Sequence, residues 1–177
     1  MGKVFAVEYV TLDGVMENPA WSAPYFNKEL QDFQADNFAE SDALLLGRET
    51  YEAFKSVWPT MPDAPGAERI NSMPKHVATT TLTEPEWNAT FLRGDVAEAV
   101  TELKRTDVSL MICGSATLFN YLSDRGLIDE YRLMVYPVVV GSGKRLFTHA
   151  GDQQSLALTN SQITSSGVAV LTYTPGK

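Results

Sequence analysis

The sequence predicts an α/β fold: a mixed, mostly parallel sheet with helices on both faces and an antiparallel hairpin at its C-terminal end. Three observations predict it. Residues 108–112 (Val-Ser-Leu-Met-Ile) are mostly apolar, too few for an ordinary helix and bounded by turn and cap signals, as in a strand buried on both faces. They run into Cys113-Gly114-Ser115 and then an amphipathic helical pattern of Leu118, Phe119 and Leu122, closed by Gly126. Residues 43–46 (Ala-Leu-Leu-Leu) show the same order, apolar strand to glycine (Gly47) to helix. The last two runs, 155–163 and 167–173, alternate and are joined by Thr164-Ser-Ser-Gly167, a hairpin signal. Parallel βα units with an antiparallel tail place the chain in the α/β class.

In chain order, residues 4–10 form the first strand, broken by the Asp13-Gly14 turn. An irregular stretch to Pro24 is long enough for a binding loop. A helix is expected from near Pro24, with Phe26, Leu30, Phe33 and Phe38 on or near one face. The second buried strand leads through Gly47 into a short helix carrying Tyr51, Phe54 and Trp58 on one side. Residues 59–74 hold four prolines and read as a surface connection. Residues 76–81 form a short strand ending in hydroxyls, and 90–93 another; Asp95 then caps a helix in a capping box with Glu98. Residues 130–140 read as a long strand in which Pro137 implies an edge position or a bulge. Residues 141–145 (Gly-Ser-Gly-Lys-Arg) read as a flexible basic loop.

With 177 residues, 44% hydrophobic and 20% charged, the chain reads as a single globular domain over 1–177 that needs neither metal nor disulfide to bury a core. A net charge of -8 argues against general nucleic-acid binding, which needs a basic surface. Cys113 is the lone cysteine, and the two histidines, His76 and His149, are far apart, so no metal site is expected. The N-terminus enters a strand pattern without a secretory signal, and no apolar run is long enough to span a bilayer, so a cytoplasmic location is expected.

A strand, a glycine turn and a helix leave backbone N–H groups at a helix N-terminus facing outward, where an anion such as a phosphate is held. Two such turns, at Gly47 and Gly114, are able to face one ligand from the carboxyl edge of a sheet.

Several segments in this order and spacing carry a resemblance. They are Thr11-Leu-Asp-Gly14, Leu46-Gly-Arg-Glu-Thr-Tyr51, Gly114-Ser-Ala-Thr-Leu118, Leu127-Ile-Asp-Glu-Tyr131 and the run from Pro137 to Phe147. Over nearly its whole length the chain resembles the dihydrofolate reductase-like superfamily, in particular the reductase domain of bifunctional riboflavin-biosynthesis proteins. The resemblance implies a sheet of about eight strands and NADPH as cofactor. It implies phosphate contacts from Gly47, Arg48 and Thr50, and a pyrophosphate covered by Gly114, Ser115, Ala116 and Thr117. Thr79, Thr80 and Thr81 would then lie beside the adenosine ribose. The physical chemistry agrees, since Arg48 supplies a planar cationic fork and the hydroxyls supply neutral donors. Relatives often pair as homodimers through sheet edges or C-terminal strands.

Two departures stand out. Cys113 replaces the first of two adjacent glycines, and is expected either to crowd the cofactor or to point into the core as a small hydrophobe. Phe26 occupies the place where true dihydrofolate reductases carry a pteridine-gripping acid, which argues against dihydrofolate as natural substrate.

Hydride transfer needs the protein mainly to position both partners and to supply a proton. Asp13 is the acidic candidate, against the alternative that Asp-Gly is simply good turn chemistry. Glu8, alternating within the first strand, and Glu17 are weaker acids for this purpose. Trp21, Tyr25 and Phe26 are candidates to stack on a flat heterocycle, although Phe26 is expected to pack. Lys144 and Arg145 are candidates to clamp a substrate phosphate. The sequence thus predicts an NADPH-dependent reductase acting on a small heterocyclic substrate, as in the pyrimidine reductase step of riboflavin biosynthesis. The alternatives are a catalytically silent nucleotide-binding protein and a reductase with weak dihydrofolate side activity.

Overall fold

The computed structural model describes residues 1–148 and 151–177, so His149 lies outside the described residues. Eight strands form one sheet: β1 (Val4–Thr11), β2 (Ala43–Gly47), β3 (Lys75–Ala78), β4 (Ala89–Leu92), β5 (Leu110–Cys113), β6 (Glu130–Tyr136), β7 (Leu156–Ile163) and β8 (Ala169–Pro175). Their spatial order is β4-β3-β2-β5-β1-β6-β8-β7. The ladder is parallel from β4 through β6, and β8 joins β6 and β7 antiparallel. Five helices accompany it: α1 (Lys28–Glu40), α2 (Arg48–Val57), α3 (Ala67–Ser72), α4 (Val96–Arg105) and α5 (Ala116–Ser123). Among the described residues no helix is long and apolar enough to cross a membrane.

The two-residue period of a strand divides the apolar side chains between two cores. Val4, Ala6, Leu45, Leu110 and Ile112 pack with Val100 of α4 and with Leu118, Phe119 and Leu122 of α5. Phe5, Val7, Leu44, Leu46 and Met111 point the other way, toward Leu30 of α1, Tyr51 of α2 and Ile70 of α3. Both faces of β2 and β5 are therefore dry, which is why these strands are continuously apolar rather than alternating.

That arrangement sets the position of the site. The helix after β1 crosses one face and the helix after β5 crosses the other, so the chain parts in opposite directions between these neighbours. Outside the carboxyl ends of strands at such a switch point, α/β sheets bind ligands. Val7 pairs with Cys113, the last residue of β5, yet β1 continues through Glu8, Tyr9 and Val10 to Thr11. Alongside it β6 continues to Tyr136, paired with Thr11. The ends of β1 and β6 thus extend together beyond the last residue of β5.

Several sequence expectations are corrected here. Residues Pro19–Tyr25 form a 3-10 segment containing Pro24, and α1 begins at Lys28, where Asn27 Oδ1 accepts from the Leu30 N–H at 3.1 Å. Asn27 is the better start signal because its side chain satisfies a free donor of the first turn. Phe26 consequently falls between the two elements and is 42% exposed. The stretch 59–74 is not all surface: it contains α3, with Ala67, Ile70 and Met73 buried. Pro137 makes neither an edge nor a bulge. It ends β6, an interior strand, in a γ-turn with Val138 N–H on the Tyr136 carbonyl at 2.8 Å. The 141–145 loop is tied down, since Met16 N–H donates to the Lys144 carbonyl and Leu146 N–H to that of Gly14, both at 2.9 Å.

Candidate functional site

The glycine turns after β2 and β5 are joined directly. Gly47 N–H donates to Ser115 Oγ at 2.9 Å, and Ser115 N–H donates to Thr50 Oγ1 at 3.0 Å. Gly114 and Ser115 both adopt the left-handed region, with φ of 58° and 56°. For serine that conformation is strained, and these cross-links hold it in place. Glu8 completes the turn from β1, its Oε2 accepting from Gly114 N–H at 3.0 Å.

The N–H groups of Gly47, Gly114 and Ser115 are therefore engaged within the protein, not open to a ligand as the sequence suggested. The open donors lie one step further on. Neither α2 nor α5 has a side-chain cap, so the first-turn N–H groups of Arg48, Glu49 and Thr50, and of Ala116, Thr117 and Leu118, have no intrahelical partners. Two uncapped helix N-termini meet across one cleft, each with a partial positive charge suited to an anion.

The cleft has a volume of about 460 Å³. Gly47, Arg48 and Thr50 line one side and Ser115, Ala116 and Thr117 the other. Val96, Leu118 and Tyr121 add apolar surface, and Met16, Glu17 and Lys144 reach in from loops. A second hollow of about 430 Å³ is lined by Thr79, Thr80 and Thr81. Arg48, Ala78 and Val96 border both hollows, so the two form a continuous trench along the strand tips. Both volumes fall in the range of small-molecule sites. Of the expected cofactor contacts, Gly114 alone is not in the lining; it serves as the hinge of the turn behind it.

The cations here are not free. Arg48 Nη1 lies 2.8 Å from Glu52 and Nη2 lies 3.7 Å from Glu49, which also approaches Lys144 Nζ at 3.6 Å. Exposed pairs of this kind are weak and exchange readily for a ligand anion. In the second hollow Thr79 Oγ1 is engaged, accepting from Thr81 N–H at 3.3 Å and Leu82 N–H at 3.2 Å, while Thr80 and Thr81 are exposed.

The remaining predicted residues divide. Glu8 is buried; burial pushes its carboxyl well above the usual range, and the Gly114 N–H only partly offsets this. Its Oε1 has no partner among the described residues, consistent with a neutral acid. Asp13 is the opposite case. Its carboxylate is held below the usual range, chiefly by the Thr11 hydroxyl at 2.5 Å and then by Gly141 N–H at 2.8 Å. An ionised acceptor has no proton to give, and the geometry makes Asp13 a clamp between its own turn and the 140–141 backbone. Arg145 donates to the Asp13 carbonyl and lies outside the cleft lining, whereas Lys144 is in it. Trp21 and Tyr25 pack edge-on against Tyr136, with centroids 5.3 and 6.1 Å away, rather than into the cleft. Cys113, half-buried, pairs with Val7 in the sheet and packs against the core on the α1 face, outside the cleft lining, and burial raises its thiol far above the ordinary value. It neither blocks the cleft nor acts as a reactive thiolate.

Val96, Tyr121 and Met16 line the cleft without having been foreseen. Val96 reads as a buried helix position, and nothing local marks Met16 or Tyr121 as lining residues. The open helix ends did leave a signal, since a glycine stands at the first N-cap in place of Ser, Asp or Asn.

The RibD C-terminal domain model matches residues 2–171. The chain belongs to this family. The uncharacterized protein YyaP of Bacillus subtilis (strain 168) is similar to this chain at 29% identity over 170 residues, covering 93% of this chain and 90% of its own. A crystal structure from Shewanella sp. PV-4, provisionally named a riboflavin biosynthesis protein, superposes with a TM-score of 0.81 at 20% identity, covering 100% of both chains. The Thermotoga maritima diaminohydroxyphosphoribosylaminopyrimidine deaminase/5-amino-6-(5-phosphoribosylamino)uracil reductase superposes with a TM-score of 0.70 at 14% identity, covering 99% of this chain and 57% of that one. At these identities the two superpositions establish a shared RibD-type fold.

Proposed function

We propose that this RibD C-terminal domain protein is an NADPH-dependent reductase of a small, flat nitrogen heterocycle, of the pyrimidine reductase type. The observation that carries this reading is the meeting of two uncapped helix N-termini, those of α2 and α5, across one cleft bordered by Arg48 and Lys144. That donor set fits the charged linker of a dinucleotide, and the adjoining threonine-lined hollow fits its adenosine end. The reductase activity named for the Thermotoga relative supports the choice of chemistry.

When bound, NADPH supplies the hydride. The chain's own residues would position it: the first-turn N–H groups and the Thr50 and Thr117 side chains would hold the pyrophosphate. Gly47, Ser115 and Ala116 line the same cleft, and Arg48 with Thr80 and Thr81 would favour a ribose phosphate. Asp13 fixes the loop that carries Lys144 over the cleft mouth.

The test is loss of NADPH absorbance when the protein is offered ribosylaminopyrimidines, with NADH in parallel. Substrate-dependent oxidation that prefers NADPH supports the reading. Saturable NADPH binding without oxidation across that panel would instead favour a nucleotide-binding protein.

A further inference from the structure

One ion pair joins two elements that line the cleft. Glu49 lies in the uncapped first turn of α2, and each of its carboxylate oxygens meets a different cation of the cleft lining. Oε1 lies 3.7 Å from Arg48 Nη2 on the same helix, and Oε2 lies 3.6 Å from Lys144 Nζ on the 141–145 loop. Consecutive residues of a helix do not face each other, so the Arg48 contact requires both side chains to bend toward the cleft. Among the described residues, the pair with Lys144 is the one salt bridge that ties α2 to that loop.

The backbone beneath Lys144 is fixed separately. Its N–H donates to Glu17 Oε2 at 3.0 Å, and its carbonyl accepts from Met16 N–H at 2.9 Å. The Glu49 side chain, by contrast, is 74% exposed. Rotation of this one side chain therefore breaks both of its contacts while the loop stays in place.

The charge balance shows what such a pair does. Arg48 and Lys144 are the cations of the cleft lining, and Glu17 and Glu49 are its carboxylates. Glu52, at 2.8 Å from Arg48 Nη1, adds a further negative charge beside it. Side-chain charge alone thus gives the cleft no excess of positive potential with which to draw in an anion. The Glu49 carboxylate, paired with both cations and seated at the positive end of the α2 dipole, itself takes an anion's place. An incoming phosphate has to compete with it for the same partners.

We infer that Glu49 is an autoinhibitory counter-anion: it takes up Arg48 and Lys144 itself, and a diphosphate group binds by displacing it. The inference rests on the dinucleotide reading of the cleft and names how entry to that site is regulated. A singly charged ligand only exchanges one carboxylate-like partner for another and gains nothing. A diphosphate brings more charge to the same two cations and to the open N–H groups, so it wins the exchange. Glu49 thereby sets a charge threshold for ligands of this cleft.

The test titrates inorganic pyrophosphate, by isothermal calorimetry, into wild type, Glu49→Gln, Lys144→Gln and the double variant. These are surface changes, which leave the fold intact. Glu49→Gln keeps the size of the side chain and removes its charge. It should tighten pyrophosphate by up to about fivefold, the worth of an exposed ion pair. The gain should shrink at high salt, and again in the Lys144→Gln background, where one arm of the pair is gone. Pyrophosphate affinity that is unchanged or lower in Glu49→Gln overturns the inference. So does a gain that is equally large without Lys144, or the absence of pyrophosphate binding in all four proteins. NADPH is titrated in parallel. Pyrophosphate carries neither ring nor hydride, so a gain with pyrophosphate and no response to NADPH would remove the reductase reading while upholding the role of Glu49.

Discussion

Ser115 and Gly47 hold each other across neighbouring strand tips: the Gly47 N–H meets Ser115 Oγ at 2.9 Å, and this bond makes two local turns into one cradle. The glycines of these two turns, Gly47 and Gly114, are there for different reasons. A Cβ on Gly47 would meet Ser115 Cβ at 3.6 Å and Leu118 Cβ at 4.0 Å, ordinary contacts among the cleft-lining residues. Gly47→Ala should therefore fold within about 1 kcal/mol of wild type while lowering dinucleotide affinity. At Gly114, φ is +58° and a Cβ would crowd Thr50 Oγ1 at 3.3 Å. Gly114→Ala should cost about 1–2 kcal/mol of stability. Urea unfolding and calorimetric titration of both variants check the contrast.

Arg48 is shared between Glu52 and the cleft. Arg48→Ala should weaken NADPH by about tenfold and NADH far less, because the lost fork would serve the extra phosphate. Glu52→Gln removes the competing carboxylate and should tighten NADPH by up to about fivefold, the worth of an exposed ion pair. Equal losses for both cofactors in Arg48→Ala would assign the residue to structure alone.

Glu8 makes stability depend on pH in a defined direction. Its folded-state value is raised by burial, so below the unfolded value of ~4.3 both states are protonated and the group has no effect. As pH rises from there toward the folded value, the unfolded state releases a proton that the folded state keeps, and stability falls. Glu8→Gln retains an acceptor for Gly114 N–H without the titration. Its stability relative to wild type should grow between pH 4 and pH 7.5, as read by urea unfolding at each pH; a constant difference would mean that Glu8 is not a buried acid.

The legible parts of this molecule are those whose cause is local. The buried strands β2 and β5 were readable because both their faces are dry, and the Asp95 cap because its side chain reaches the Glu98 N–H, at 3.1 Å. The start of α1 was misplaced because Pro24 and Asn27 both give start signals, and only the second makes a bond. In the cleft, the meeting of the Gly47 and Gly114 turns followed from strand-turn-helix order, while Arg48, Ser115 and Thr117 came with the family resemblance. That the turn N–H groups are already engaged did not, since Glu8 lies 106 residues from Gly114 and Thr50 lies 65 from Ser115. The same holds for the buried bond from Arg132 Nη1 to Asn37 Oδ1, whose partners lie 95 residues apart.

Amide chemical-shift mapping by NMR during an NADPH titration tests the cradle most directly. The largest changes should fall on the first turns of α2 and α5, at Arg48 to Thr50 and Ala116 to Leu118, with smaller ones at Thr79 to Thr81. Shifts confined to other surfaces such as the β7–β8 hairpin, or none at saturating NADPH, would contradict the account.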